Sequence, residues 1–243
     1  MAYLKPEEKI GLISKNNFGT DMKIIKVLSS YKVLIEFQDE HKHKQEIYYN
    51  NFKNGNVKNP YDKIRYGVGY IGAGKYKVES ILGIHDKSYD TWQNMLERCY
   101  SEKHREKHSA YKDCTVCKEW HNYQNFAKWY KNNEYIVEGR LHLDKDIIKH
   151  GNTLYSPEYC LLVPQRINMI FMSKSSKDGL PNGIARCKKG YRAHYNGVKL
   201  EEFYTLEEAI AEHDKAKRIH IKNISKEYKN KIPKKVYNAL MRW

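Results

Sequence analysis

The sequence predicts an α+β protein built of several small modules. Three patterns indicate this class. Apolar residues alternate along residues 11–57, as in a β-sheet, and recur every three or four residues along 89–130, as in helices. After residue 182 the chain returns to short strand-like runs, which a capped helix follows. With 243 residues, the chain is long enough to hold two or three such units.

Residues 1–62 are predicted to form a small β module. The stretch MKIIKVLSSYKVLIEF (22–37) places alternating apolar residues on both sides of a Ser-Ser turn, which predicts a hairpin. Residues 63–88 follow as a predicted flexible linker, with four glycines between Gly67 and Gly74. These glycines have neither the lysine-serine ending nor the following helix of a phosphate-binding loop.

Residues 89–172 are predicted to hold helices followed by a ββα unit. Trp92 and Leu96 recur at helical spacing, as do Phe126 and Trp129, which predicts buried helix faces. The stretches RLHLDKDII (140–148) and CLLVP (160–164) then predict two strands joined by a turn. We expect Pro164 at the first position of the next helix, where its missing N–H costs nothing.

Residues 173–243 predict a polar linker, a three-stranded sheet and two helices. Asn196-Gly197 is a hairpin signal between the second and third strand-like runs. Thr205 and Glu208 form a capping box at the start of the first helix, and the tail 228–243 predicts a second, shorter one. The residues of the first helix expected to face the sheet are Ala209, Ile210 and Ala216.

The charge balance indicates a polyanionic partner. The chain has 44 Lys and Arg against 29 Asp and Glu, a net charge of +15, with a pI near 9.4 and a mean hydropathy of −0.84. Residues 173–243 hold 17 basic against 8 acidic residues, so 9 of the 15 surplus charges lie there. Nucleic acid is the expected partner, and an anionic membrane surface is the rival. No apolar run reaches spanning length and no secretory signal is evident, so we expect a cytoplasmic protein.

Two parts of the chain resemble known families. The stretches TWQNMLERCY (91–100), YKDCTVCKEWHNYQNFAKW (111–129) and LHLDKDIIKHGNTLYSPEYCLLVPQRIN (141–168), in this order, resemble the HNH-type (His-Me finger) homing endonuclease-like proteins of phages and mobile elements. GIARCKKGYRAHYNGVKLEEFYTLEEA (183–209) resembles the plant ethylene-response-factor type DNA-binding domain. The first resemblance implies a ββα metal finger, and the second implies a sheet that lies in the major groove.

In the HNH family, an aspartate or histidine ending the first strand and a residue on the helix bind a divalent ion, and a histidine activates water. The resemblance places Asp144 and Asn168 at the ligand positions, for magnesium or manganese, and Lys145 at the general-base position. Lys145 departs from the family pattern. A lysine with a reference pKa of about 10.4 is protonated at neutral pH and cannot take a proton from water. This departure favours a finger that has lost nuclease activity.

A replacement base is the alternative. If the strand alternates regularly, His142, Asp144 and Asp146 share one face and Lys145 points away, so His142 could act beside an ion held by the two aspartates. In the competing structural interpretation, Asp144 and Asp146 cap the turn or pair with Lys145 and Arg140. We favour the structural interpretation.

Five cysteines, an odd number, argue against a disulfide framework and for reduced thiols or a metal site. Cys114 and Cys117 have the spacing of half a zinc site, which Cys99 and Cys160 could complete. Packed reduced thiols are the slightly favoured alternative.

The second resemblance implies that the exposed face of the C-terminal sheet contacts DNA. The matching positions are Arg186, Lys188, Lys189, Tyr191, Arg192 and His194. Backbone contacts with phosphates are expected from Lys215, Lys217, Arg218, Lys234 and Lys235. A solvated sheet face with Tyr191 in the core is the alternative.

Three functions follow as hypotheses. The leading one is a double-stranded-DNA-binding protein of phage or mobile-element origin, built on a homing-endonuclease plan without its catalytic base. The second is an active metal-dependent endonuclease, with Asp144, Asp146 and Asn168 holding the ion and His142 acting as base. The third is a phage factor whose basic surfaces bind a host defence protein or a guide RNA.

Overall fold

The computed structural model of the protein describes residues 5–79, 82–172 and 179–243. The fold is α+β, 37% helical and 24% strand, with several small sheets, which confirms the predicted class. Within the described ranges, the strands form one four-stranded, one three-stranded and two two-stranded sheets.

The chain divides into two compact units. Unit 1 comprises Met1–Ser101 and Lys118–Ala127, and unit 2 comprises Glu102–Cys117 and Lys128–Trp243. This division differs from the predicted modules. Residues 89–172 are shared between both units, whereas the ββα segment and the C-terminal sheet belong to the same unit.

Unit 1 begins with a four-stranded antiparallel sheet in which the strands lie side by side in their order along the chain. The pairing of the second and third strands runs from Met22 opposite Phe37 to Val27 opposite Val33, so the predicted hairpin is confirmed. The inward residues Met22, Ile24, Val33, Ile35 and Phe37 are fully buried, as the alternating pattern predicts, and Val27 is partly buried against them. The elements are α1 (Pro6–Lys9), β1 (Ile13–Lys15), β2 (Asp21–Val27), β3 (Lys32–Phe37), β4 (Lys44–Tyr48) and α2 (Tyr49–Lys53).

Residues 63–79 are packed into unit 1, so their interpretation as a flexible linker is wrong. The side chain of Gln124 accepts from the N–H of Tyr76 and donates to its carbonyl, both at 2.9 Å. A Cβ on Gly69 would collide with Leu96 and Trp92. The glycine therefore permits close packing rather than flexibility. Residues 80 and 81 lie outside the described ranges.

The helices of unit 1 follow the predicted apolar spacing. Helix α3 (Lys87–Tyr100) begins after Asp86, whose carboxylate accepts from the N–H of Ser88 at 2.8 Å. Its Trp92 is fully buried and donates through Nε1 to the carbonyl of Trp120 at 2.6 Å. Trp120 lies in the 3₁₀ turn Lys118–His121, which leads into α5 (Tyr123–Asn133); the residues of α5 up to Ala127 belong to unit 1 and the rest to unit 2.

Unit 2 contains the predicted strand–turn–strand–helix segment. Strand β6 (Leu141–Asp144) pairs antiparallel with β8 (Leu161–Pro164), and α6 (Gln165–Phe171) follows directly. Pro164 is the last strand residue and the N-cap of α6, not its first helical residue. The reason is that Pro164 pairs with Leu141, which keeps its backbone extended. The other elements here are α4 (Glu102–Lys107), the 3₁₀ turn Ser109–Tyr111, and β5 (Thr115–Val116), which pairs in parallel with β7 (Leu154–Tyr155).

The C-terminal part of unit 2 is a three-stranded sheet followed by two helices, as predicted. The sheet has the order β11-β10-β9 and is antiparallel. Asn196 and Gly197 both have positive φ, at 50° and 80°, as a tight hairpin turn requires. Thr205 and Glu208 form both bonds of the capping box. The elements are β9 (Ile184–Cys187), β10 (Gly190–Tyr195), β11 (Val198–Phe203), α7 (Leu206–Tyr228) and α8 (Lys234–Met241). Residues 173–178, most of the predicted polar linker, lie outside the described ranges.

Helix α7 contributes to two cores in unit 2. Its first half packs Ala209 and Ile210 against the sheet, as predicted. Ala216, which was also predicted to face the sheet, is not among the described side chains of that core. His213 packs beside Tyr195 instead. Its second half joins α8 in a larger core with the ββα segment. That core comprises Ile147, Leu161, Val163, Ile167, Ile221, Ile224, Ile232, Val236 and Leu240.

Candidate nucleic-acid interface

Asp144 ends β6, and its carboxylate stabilises the turn that follows. Oδ1 accepts hydrogen bonds from the backbone N–H groups of Asp146 and Ile147, both at 2.8 Å. The residue is 7% exposed. Burial raises the pKa of this carboxyl from 3.8 to about 6, although the two N–H donors oppose the rise. Asp144 therefore caps the turn, as in the structural interpretation of the sequence.

Lys145, at the position expected for the general base, is buried and ion-paired. Its Nζ donates to both carboxylate oxygens of Asp146 at 2.9 Å and to the carbonyl of Asn152 at 2.7 Å. The Asn152 side chain donates in return to the carbonyl of Lys145 at 3.0 Å. Burial lowers the pKa of Lys145, but the hydrogen bond to Asp146 and the neighbouring charges outweigh it, so the pKa is raised. An ammonium held in this way cannot act as a general base at neutral pH.

Strand β6 brings together only part of the predicted catalytic set. His142 and Asp144 share one face, and the residues opposite them on β8 both belong to the larger core. Asp146 lies in the turn beyond the strand, and Lys145 is buried rather than directed away from the finger. The regular alternation on which the predicted shared face of His142, Asp144 and Asp146 depended therefore ends at Asp144. The cause is the cap on Asp144, which turns the backbone immediately after the strand.

The residues at this end of β6 fit a divalent ion poorly. The resemblance would assign magnesium or manganese to Asp144 and to Asn168, which is half-buried on α6. Oδ1 of Asp144 already accepts from two backbone donors, and the next residue supplies an ammonium group. In the described ranges, no group of three or more His, Cys, Asp or Glu side chains is arranged to hold a metal ion.

The cysteines of the predicted zinc site are packed as thiols. Cys99 belongs to unit 1, whereas Cys114, Cys117 and Cys160 belong to unit 2. The Sγ of Cys114 donates to the carbonyl of Ala110 at 3.6 Å. Burial raises the pKa of Cys114 and of Cys160, so both thiols stay protonated at neutral pH. Zinc binds the thiolate form, so these surroundings favour reduced, packed cysteines.

The basic residues of the C-terminal sheet lie on two faces rather than one. Tyr191 pairs with Arg186 and Ala193 pairs with Ile184, so all four share a face. Ala193 and Ile184 pack with Ala209 of α7, which places Tyr191 and Arg186 on the helix side. There the Arg186 guanidinium lies 5.5 Å from the centre of the Tyr191 ring. Tyr191 is partly buried against the core, as the structural alternative expected.

The outer face of the sheet carries Arg192 and His194. Arg192 forms an ion pair with Glu202 on β11, and His194 lies opposite Lys199. Since strand alternation assigns Arg186 and Tyr191 to the other side, the prediction of a single DNA-facing set is wrong. The exposed turn between β9 and β10 adds Lys188 and Lys189.

The densest positive charge lies on the second half of α7, on α8 and on the segments that follow each helix, whereas the first half of α7 carries four acidic residues. Residues 215–243 contain ten Lys and Arg and one acidic residue, Glu227, which pairs with Arg166. Ile221 and Ile224 are buried, whereas the basic residues between and after them face solvent. The exposed members are Lys215, Arg218, Lys222, Lys226, Lys229, Lys231, Lys234, Lys235 and Arg242. Lys217, also predicted to contact phosphate, is half-buried instead.

A cleft of about 720 Å³ opens between the turn after β6, α7 and α8. Its lining includes Lys217 and Arg218 from α7, and Arg242 and Trp243 from the end of the tail. Sequence reasoning missed Arg242 and Trp243. The signal that could have identified them is an aromatic residue next to an arginine in a strongly basic segment, a combination typical of nucleic-acid-binding surfaces.

No family model, curated protein or solved structure matches the chain. No helix within the described ranges combines the length and the apolar content needed to cross a membrane. The functional conclusion therefore depends on the charge and geometry of the described residues.

Proposed function

We propose that the protein binds double-stranded DNA, with the second half of α7, α8 and the outer face of the C-terminal sheet against the phosphates. The observation that carries this proposal is the ratio of ten basic to one acidic residue along 215–243, with most of the basic side chains exposed. Such a surface binds a polyphosphate backbone by releasing its condensed counterions, and the binding weakens steeply with salt.

The basic residues of the sheet differ in whether they are free to contact DNA. Lys188 and Lys189 are exposed in a turn, where they can meet phosphates. Arg192 is already bound to Glu202, so reading a base edge would require it to exchange that partner. The helices therefore supply most of the affinity in this proposal, and the outer sheet face supplies orientation.

In this proposal the ββα segment holds DNA without cutting it. The support is that Lys145 donates to Asp146 and Asn152, and that Asp144 caps a turn. The resemblance to HNH homing endonuclease-like proteins adds the proposed origin, a phage or mobile element acting in the cytoplasm of a bacterial cell.

Salt-titrated binding to a duplex tests the proposal. The logarithm of the affinity should fall linearly with the logarithm of the salt concentration. The double variant Lys222→Gln/Lys229→Gln should reduce the size of that slope by about 2, at about 0.9 for each lost phosphate contact. Lys128→Gln, an exposed substitution on α5, is the matched control and should leave the slope unchanged. Affinity that does not respond to salt would refute duplex binding, and a preference for folded RNA would favour the guide-RNA hypothesis.

A nicking assay tests the loss of nuclease activity. Supercoiled DNA should stay intact with the purified protein in magnesium or manganese, because Lys145 cannot act as the base. Nicking that disappears in Asp144→Ala would instead show an active endonuclease.

A further inference from the structure

The cleft beside Trp243 differs from the rest of the exposed basic surface because apolar and aromatic side chains also line it. It is lined by the turn after β6, by α7 and by α8, and its volume of about 720 Å³ falls within the range of small-ligand sites, about 300–1,000 Å³. Its lining mixes apolar and cationic groups. A duplex backbone lies along a surface, whereas a cleft of this size can surround a single nucleotide.

Lys217 is half-buried, unlike Arg218, Lys235 and Arg242, which line the same cleft and are exposed. Its Nζ lies 5.3 Å from the Trp243 ring centre and 5.6 Å from the Phe171 ring centre. Burial lowers the pKa of this ammonium, and the charge of Asp214 only partly opposes the effect. In the described ranges, Lys217 makes no ion pair and no side-chain hydrogen bond. A partly buried ammonium that lies against aromatic rings and has no ion-pair partner is suited to an anionic ligand.

Three further cations line the same cleft: Arg218, Lys235 and Arg242. None of their side chains forms an ion pair within the described residues. The acidic residues of the lining are Glu158 and Asp214. Asp214 has a partner of its own, His213, at 3.1 Å. The cleft therefore has more cations than the surrounding protein neutralises.

The indole of Trp243 is held in place by surrounding groups. Its Nε1 donates to the carbonyl of Ile147 at 2.8 Å. The ring centre of Phe171 lies 4.9 Å from that of Trp243, and the ring centre of His150 lies 5.3 Å from it. Both rings pack edge to face against the indole. Trp243, His150 and Ile148 line the cleft beside its cations, and Phe171 packs against Trp243 without lining the cleft. An aromatic side chain next to cations that can bind phosphate is the combination typical of nucleotide recognition.

We propose that this cleft binds a single nucleotide, with its phosphate against Lys217, Arg218 and Arg242 and its base against Trp243. The nucleotide is either free or the 5′-phosphorylated end of a strand, because both present the same phosphate and base. The inference extends the proposed DNA-binding function to a second site, and either one can fail without the other.

Titration calorimetry on the full chain tests the inference with five probes. They are AMP, dTMP, inorganic pyrophosphate, and oligo-dT of eight nucleotides with and without a 5′-phosphate. We expect a nucleotide or the phosphorylated oligonucleotide to bind at least about tenfold more tightly than pyrophosphate or the unphosphorylated strand. Tight AMP or dTMP binding would identify a free nucleotide, whereas tight binding of only the phosphorylated strand would identify a strand end.

Variants separate the cleft from the general positive surface. Lys217→Gln and Arg242→Gln should each weaken nucleotide binding by about tenfold or more, because each removes a charged hydrogen bond. Lys217→Arg should retain most of the affinity, and Lys128→Gln should not change it. Arg242 is exposed, so its substitution keeps the test valid if Lys217→Gln fails to fold.

Three results would overturn the inference: no probe binds, pyrophosphate binds as tightly as the nucleotides, or Lys222→Gln/Lys229→Gln weakens nucleotide binding as much as the cleft variants do. The proposed function has a separate readout, since the salt slope for duplex DNA depends on the exposed helical lysines. Nucleotide binding without duplex binding would refute the proposed function and leave the cleft assignment intact.

Discussion

Asp144→Asn should stabilise the protein at neutral pH by an amount that the pKa of Asp144 sets. The carboxyl is 7% exposed, and burial raises its pKa from 3.8 to about 6. A rise of this size corresponds to about 3 kcal/mol of cost when the group ionises in the folded state. Asparagine has nearly the same volume and keeps the oxygen that accepts from Asp146 and Ile147. It should therefore remove the cost of ionisation while it preserves the cap.

The sign follows from proton binding. Between about pH 4 and pH 6 the folded state keeps the Asp144 proton and the unfolded state has released it, so folding stability falls as pH rises. Below this window both states are protonated and the substitution should have little effect. Above about pH 7 the full advantage of Asp144→Asn, about 3 kcal/mol, should be present.

Urea unfolding of the wild type and Asp144→Asn at pH 4.5, 6 and 7.5 measures the difference directly, with EDTA present to exclude metal binding. Other titrating groups contribute equally to both proteins and cancel. Asp146→Asn is the control and should destabilise at neutral pH, because Asp146 accepts from the buried Lys145 ammonium. A difference that does not change with pH, or an Asp144→Asn variant less stable than wild type at pH 7.5, would refute the reasoning.

Three other substitutions test the packing in both units. Lys145→Met should destabilise by about 3 kcal/mol, because it leaves a carboxylate and a buried carbonyl without their donor. Gly183→Ala should cost at least about 2 kcal/mol, since φ is +80° there and a Cβ would collide with His213. Gly69→Ala should destabilise by about 2 kcal/mol, because the new methyl group overlaps Leu96 and presses against the Trp92 ring. Urea unfolding measures all three.

Each of these substitutions has its own contradicting outcome. Unchanged stability in Lys145→Met would mean that its ion pair contributes nothing. A Gly183→Ala variant as stable as Gly197→Ala, which meets no neighbouring atom, would show that backbone strain alone matters there. For Gly69→Ala, a change within about 0.5 kcal/mol would restore the linker interpretation.

Elements that are specified by residues close together along the chain were predictable. The hairpin of β2 and β3 follows from period-two alternation, and the start of α7 follows from Thr205 and Glu208, which bond to each other's backbone. The turn at Asn196-Gly197 follows from the ease with which both residues adopt positive φ. In each case the interacting groups lie within a few residues of each other.

Side-chain partners were less predictable. The sequence placed Lys145 at a general-base position, but its role depends on Asn152, which only the turn brings to its ammonium. The prediction of a single basic sheet face failed because it did not consider strand register. Tyr191 lies opposite Arg186 on the sheet face that packs against α7. Arg192 faces outward and forms an ion pair with Glu202.

By itself the sequence determined the α+β class, the order of most elements and the concentration of positive charge near the C-terminus. Only the tertiary structure decided which cations face solvent, which are already paired, and that a cleft exists beside Trp243. The physical reason is distance along the chain. The hydrogen bond from Trp243 to Ile147 joins residues 96 positions apart, and no local pattern specifies a contact that depends on burying two separate apolar surfaces together.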